Sequence, residues 1–310
     1  MEVEVQGRQL KLSNLQKVMY PATGFTKGHV IDYYTRIAPA MLGHLRDRPL
    51  TRIRYPNGVD DKFFFEKNCP DHRPDWVQVA RIFTRGTGRW GRESRGPRDI
   101  DFCLANDLPT LIWLGNLAAL EMHTSLGTAT AYQQPTVVAF DLDPGPPATI
   151  VECCRVALTL RGMFEGLGLR CFPKTSGSKG MQVYLPLNTP VSYEETTPFA
   201  RAVAELLEQE QPGLVVSKQS KELRAAKVLV DWSQNVDFKT TVCAYSLRAR
   251  ERPTVSTPVT WDEVESAEAP EDLRFEAPEV LERVERHGDL YADVLTLEQR
   301  LPTPPGGKSE

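Results

Sequence analysis

A chain of 310 residues, 41% hydrophobic and 25% charged, has material for a substantial core and the composition of a globular protein. No apolar run reaches the length of a membrane helix, and the acidic start MEVEVQGRQL lacks a signal-peptide h-region, so a membrane partner and secretion are not expected. The net charge of −4 argues against a nucleic-acid partner only as an average: residues 81–98 hold six Arg against one Glu, whereas residues 261–300 hold 13 Asp/Glu against four Arg. Six scattered cysteines, Cys153 and Cys154 adjacent, show no disulfide framework and fit a reducing cytoplasm.

Residues 1–12 alternate enough for a short strand pair. A helix follows from about Lys27, with Val30, Tyr33, Tyr34, Ile37 and Met41 on one face. LTRIRYP and KFFFEK read as strands, residues 85–98 as a Gly/Arg loop, and LPTLIWLGNLAALEMH (108–123) as a buried helix ending near His123. The strand TVVAFDLD leads to a helix over 148–165, the strand RCFPK, the turn TSGSKG and the strand MQVYLPL. Residues 194–210 read as a helix, KVLVDW as a strand and 278–287 as a charged helix; the tail PTPPGGKSE reads as disordered. Strands and helices without strict βαβ alternation favour an α+β fold.

Asp141 and Asp143 end an apolar strand, where alternation points both the same way and turns Leu142 to the core. Carboxylates this close repel unless a cation joins them, and oxygen-only ligands suit Mg²⁺ or Mn²⁺. Asp231, in VLVDWSQN, is a third candidate; three such groups on adjacent strand ends could hold two metals about 4 Å apart, as in nucleotidyl transfer. A bare D-x-D is equally the end of a strand capped by turn aspartates. The turn KTSGSKG exposes backbone N–H groups beside Lys179 and could cradle a triphosphate, although it lacks the P-loop spacing and alone also fits a flexible hairpin. His123 by itself fits a satisfied core histidine, and Arg224 and Arg248 become phosphate clamps only beside a metal site. Cys69 and His72 in NCPDH lack a second ligand pair, which argues against zinc.

In their order, KVMYPATGFTK, RYPNGVDDKFFFEK, FDLDPG, KTSGSKG and VDWSQN…KTT…YSLR resemble the polymerase domain of bacterial ligase D, in the archaeo-eukaryotic primase superfamily. The likeness runs from about residue 10 to 262. It implies a primase-polymerase fold: two β-sheets flanked by helices around a central active-site cleft. It also implies one domain over residues 1–300, with DNA contacts in 1–130, the catalytic part in 131–300 and a disordered tail at 301–310.

The resemblance assigns roles by position. Asp141, Asp143 and Asp231 are similar to the metal-binding catalytic triad, with two Mn²⁺ or Mg²⁺ ions. His123, Ser176, Lys179, Gly180, Arg224 and Arg248 are similar to the nucleotide-binding residues. Asn14, Lys17 and Lys27 resemble a pocket for a 5′-phosphate on the downstream DNA strand, and Phe64 and Phe65 resemble aromatics that stack on the template. The Arg-rich loop stands where the family carries a variable loop that brings DNA ends together. Gln182 stands where the family often has His. The implied activity is template-directed filling of short gaps in end joining, with a preference for ribonucleotides. The implied partners are gapped or broken DNA, NTP or dNTP, the Ku end-binding protein and an ATP-dependent DNA ligase, in the cytoplasm at the nucleoid. A primase that starts chains de novo shares the same residues. A non-catalytic DNA-end-bridging module would not need three carboxylates. The chain leaves no room for nuclease and ligase domains, so it is expected to be a stand-alone homologue or an excised domain.

Overall fold

The computed structural model describes residues 1–84 and 98–302. Of the Arg-rich stretch 81–98, residues 81–84 and Arg98 lie in strands rather than in the expected loop, and residues 85–97, like the tail from residue 303, lie outside the described residues. β1 (Glu2–Val5) and β2 (Arg8–Lys11) form the antiparallel pair expected of residues 1–12. β3 (Val18–Tyr20) and β4 (Phe25–Thr26) make a second small hairpin. Thr26 then caps α1 (Lys27–Leu45): its hydroxyl accepts the His29 N–H, and its own N–H donates to His29 Nδ1. The predicted face of α1 is buried, with Val30, Tyr34, Ile37 and Met41 fully enclosed.

Next come β5 (Leu50–Arg54), β6 (Phe64–Glu66), β7 (Val79–Thr84), β8 (Arg98–Cys103), α2 (Leu108–Asn116) and β9 (Ala119–Thr124). The second half holds β10 (Val137–Pro144), α3 (Ile150–Gly166), β11 (Phe172–Thr175), β12 (Met181–Pro186), α4 (Tyr193–Glu210), β13 (Val215–Val216), β14 (Val228–Asp231) and β15 (Thr241–Val242). Three further helices close the chain: α5 (Trp261–Ser266), α6 (Ala277–His287) and α7 (Ala292–Thr296).

These strands build two main sheets. One has the order β15-β9-β5-β8-β7, with β6 also paired to β5; the other has the order β11-β12-β10-β14-β13. α1 and α2 share the core of the first sheet; α3 and α4 cover the second, where Val138, Phe140 and Leu142 of β10 are fully enclosed. Burying each such side chain contributes roughly 1.5–3 kcal/mol. The arrangement is the expected α+β fold with two sheets.

Two expectations are corrected. Residues 108–123 are not one helix: α2 ends at Asn116, Ala118 turns the chain at φ 59°, and residues 119–124 pair with β5. Leu, Ala, Glu and Met all favour helix, but pairing in the sheet overrides that weak preference. His123 therefore sits in a strand. The cysteines are not all unpaired either. Cys69 and Cys103 form a disulfide, their Cα atoms 5.1 Å apart. The fold brings them together because Cys69, just past β6, donates its N–H to Asp101 O of β8.

Candidate active site

β10 and β14 run antiparallel in a register that sets Asp141 opposite Asp231. Leu142 points into the core and Asp143 returns to the side of Asp141, as alternation requires. Asp141, Asp143, His123, Ser176, Lys179, Gln182, Arg224 and Arg248 line one cleft of about 580 Å³, with walls from both sheets. Burial first, then Asp143 and Asp231, push the Asp141 carboxyl up to about 7. Burial and Asp231 raise Asp143 as well, against the opposing pull of Arg224 and Arg248. Such repulsion is what a cation between the groups would relieve.

The carboxylate oxygens already have hydrogen-bond partners. Asp141 Oδ1 accepts from Gln182 Nε2 at 3.1 Å. Asp231 Oδ1 accepts from the Ser233 N–H (2.9 Å) and hydroxyl (2.6 Å), and Oδ2 accepts from Gln234 Nε2 at 2.9 Å. Among the described residues no three His, Cys, Asp or Glu side chains converge as a ready metal-ligand cluster. The donor set still fits a hard divalent cation: oxygen atoms only, mutually repelling and partly desolvated. Turning the carboxylates toward such an ion means exchanging these neutral amide and hydroxyl donors for it.

The turn after β11 is built from its own side chain. Ser176 Oγ accepts the N–H groups of Ser178 (3.2 Å) and Gly180 (3.3 Å), so it organises the loop. A Cβ on Gly180 would lie 2.0 Å from Leu142 O, so only glycine lets the turn press against the carboxylate strand. Lys179 lines the cleft and forms no ion pair among the described residues. Arg248 donates Nη1 to Ser176 O, and Arg224 donates Nη2 to Gln219 O at 2.6 Å.

Sequence reasoning missed two residues here and gave a third no role. Glu121, buried on β9 two residues before His123, accepts from His123 Nε2 at 2.9 Å and from the Ala249 N–H at 3.0 Å, and lies 3.1 Å from Arg248 Nε. Burial alone raises its carboxyl, but His123, Arg248 and the Ala249 N–H together hold it down at about 2. Strand spacing would have put Glu121 on the face of His123, had the segment been read as a strand. Lys174, fully buried, donates to Val242 O (3.0 Å) and Ser256 Oγ (2.6 Å), and burial lowers its ammonium to about 7. Gln182 was noted only as a departure from the family pattern. Its Oε1 is buried with no partner among the described residues.

A second cluster forms away from the cleft. Asn14 adopts φ 55°, its carbonyl accepts the Lys17 N–H, and Lys17 O accepts the Lys27 N–H at the start of α1. Lys17 Nζ donates to Asn57, and the buried Lys27 Nζ donates to Asn116 O. Burial, then Lys17, lowers the Lys27 ammonium. The three predicted residues thus gather two cations at a helix N-terminus, which suits an anion. Phe64 and Phe65 on β6 are both more than half exposed, as is Phe63, which stacks on Tyr55.

Two sheets meeting at a cleft, with carboxylates of adjacent strands on one side and a basic turn on the other, fit a primase-polymerase type of nucleotidyltransferase. The chain matches the LigD primase-polymerase domain over residues 26–291 and belongs to that family. It is 42% identical to the multifunctional non-homologous end joining protein LigD of Mycolicibacterium smegmatis over 92% of this chain, and 32% identical to the bifunctional LigD of Bacillus subtilis over 92%. It spans about a third (36%) of the former's length and 44% of the latter's. Its structure matches the polymerase domain of Mycobacterium tuberculosis ligase D, solved in complex with DNA, at a TM-score of 0.83 and 39% identity, covering 94% of this chain and 99% of that one.

Proposed function

We propose that this chain fills short gaps at DNA ends during end joining, adding nucleotides to a primer under the direction of a template and favouring ribonucleotides. The observation that carries this reading is the pairing of Asp141 with Asp231 across β10 and β14, with Asp143 alongside and a basic turn on the same cleft. Asp141 and Asp143 would hold two divalent cations, Mg²⁺ or Mn²⁺, with Asp231 at the ion nearer the primer. Such ions, when bound, acidify the primer 3′-hydroxyl and neutralise charge on the departing pyrophosphate.

The protein's own groups do the remaining work. Lys179, Arg224 and Arg248 set positive charge where the triphosphate lies, and His123 contacts the incoming nucleotide. The Ser176–Gly180 turn presents backbone N–H groups, held in shape by the Ser176 hydroxyl. Asn14, Lys17 and Lys27 receive the 5′-phosphate across the gap, which registers the enzyme on broken ends. Phe64 and Phe65 stack on template bases without regard to sequence. DNA is the direct partner, and a Ku-type end-binding protein and an ATP-dependent ligase act before and after.

The test is extension of a labelled primer across a gapped duplex, with ribo- or deoxynucleotides and with Mn²⁺, Mg²⁺ or EDTA. Asp141→Ala abolishes extension and leaves gapped-DNA binding intact. An Asp141→Ala protein that still extends the primer refutes the cation site. Lys17→Ala removes the preference for a 5′-phosphorylated gap, and equal binding of phosphorylated and unphosphorylated gaps by the unaltered protein refutes the pocket. Extension without any primer would establish a primase instead.

A further inference from the structure

The chemistry above leaves Glu121 without a task, although it is almost wholly buried at the cleft wall and fully charged. Its one carboxylate joins three parts of the wall. It meets the His123 ring on β9, the Arg248 guanidinium and the Ala249 N–H. Through Arg248, which donates to Ser176 O, the link extends to the nucleotide turn. An isolated carboxylate is costly to bury, so a site that keeps one supplies it with donors and gains a fixed geometry in return.

We infer that Glu121 is a positioning residue, which locks the ring tautomer of His123 and holds Arg248 beside the turn so that both meet the triphosphate as one unit. The inference rests on reading the cleft as a nucleotide site. An ionised carboxylate can only accept, so at 2.9 Å the His123 Nε2 must carry the hydrogen. Nδ1 is then the ring atom left for a ligand. Burial first, and then Arg248 and Lys174, the cations that face His123 from the other elements, disfavour a second proton on the ring, and Glu121 opposes them. A bound polyphosphate adds negative charge, which draws the second proton to Nδ1 and converts an acceptor into a donor aimed at a phosphate. If Glu121 served only to neutralise Arg248 in the fold, the tautomer of His123 and the nucleotide KM would not depend on it.

The experiment combines two-bond ¹H–¹⁵N spectra of ¹⁵N-histidine-labelled protein with primer-extension kinetics. In the unaltered protein His123 is expected as the Nε2–H tautomer, and a non-hydrolysable ribonucleoside triphosphate should protonate Nδ1. Glu121→Gln, nearly isosteric but able to donate or accept, should give mixed tautomers. It should raise the nucleotide KM on the order of tenfold to a hundredfold, as expected when one partner of a buried charged network is lost, with a smaller change in kcat. His123→Ala added to Glu121→Gln should cost little more. An Nδ1–H tautomer in the unaltered protein overturns the inference, as does a Glu121→Gln protein with unchanged tautomer and KM. If Glu121→Gln does not fold, the spectrum of the unaltered protein still decides. A protein that shows the Nε2–H tautomer but no extension at all refutes the polymerase reading and leaves the Glu121–His123 pairing standing.

Discussion

Replacing Asp141 by Asn should make the metal-free protein more stable while destroying its proposed activity. In the fold, the Asp141 carboxyl is raised from an ordinary value near 3.8 to about 7, chiefly by burial and then by Asp143 and Asp231. An acid whose pKa is higher folded than unfolded stabilises the fold only while protonated. The protein is therefore most stable below about pH 4 in this respect, and it loses that contribution as pH rises toward 7. Asp141 is partly open to the cleft, so a net effect of about 2 kcal/mol is expected. Asn keeps an acceptor for Gln182 Nε2 and removes the charge. In EDTA, thermal melts of the Asn variant should exceed those of the unaltered protein by about 3 °C at pH 8 and converge with them near pH 4. Adding Mn²⁺ should raise the melting temperature of the unaltered protein far more than that of the variant. An Asn variant that melts at or below the parent at pH 8 in EDTA would refute the account of strained carboxylates.

Other expectations follow from close contacts. Gly180→Ala places a methyl 2.0 Å from Leu142 O, so the turn must move off β10; a loss of about 2 kcal/mol or more in denaturant melts and a marked fall in nucleotide affinity should result, whereas unchanged melts would show that the turn is not pressed against the strand. Cys69 and Cys103 close a loop with a sequence separation of 34 residues, so reduction or Cys103→Ser should lower stability by up to about 4 kcal/mol. Intact-mass analysis without reductant should show two hydrogen atoms fewer than with it, and an equal mass would mean the pair is reduced.

Much of the site was legible from local pattern. Alternation alone places Asp141 and Asp143 on one face with Leu142 opposite, and the apolar spacing of α1 reports its buried face. What alternation cannot supply is register between distant strands. The apolar strand before Asp231 made it a third candidate beside Asp141 and Asp143, but nothing near residue 231 says that it sits opposite 141. The same gap hid the disulfide, because neither Cys69 nor Cys103 has a local cue for the other. His123 was expected at the cleft and lines it, but it was placed in the wrong element, since LAALEMH has good helix formers and its strand pairing with β5 is long-range. That error concealed Glu121, whose relation to His123 exists only at a period of two.

β10 lies in the middle of its five-stranded sheet, hydrogen-bonded to β12 on one side and β14 on the other. The carboxylates therefore stand on one of the stiffest parts of the molecule, while the exposed phenylalanines stand on the short strand β6, off the main path of the other sheet. On the proposed reading, template contacts fall on the outlying strand and the bond-forming groups on the central one, so a displaced template base need not alter the separation of the acidic groups.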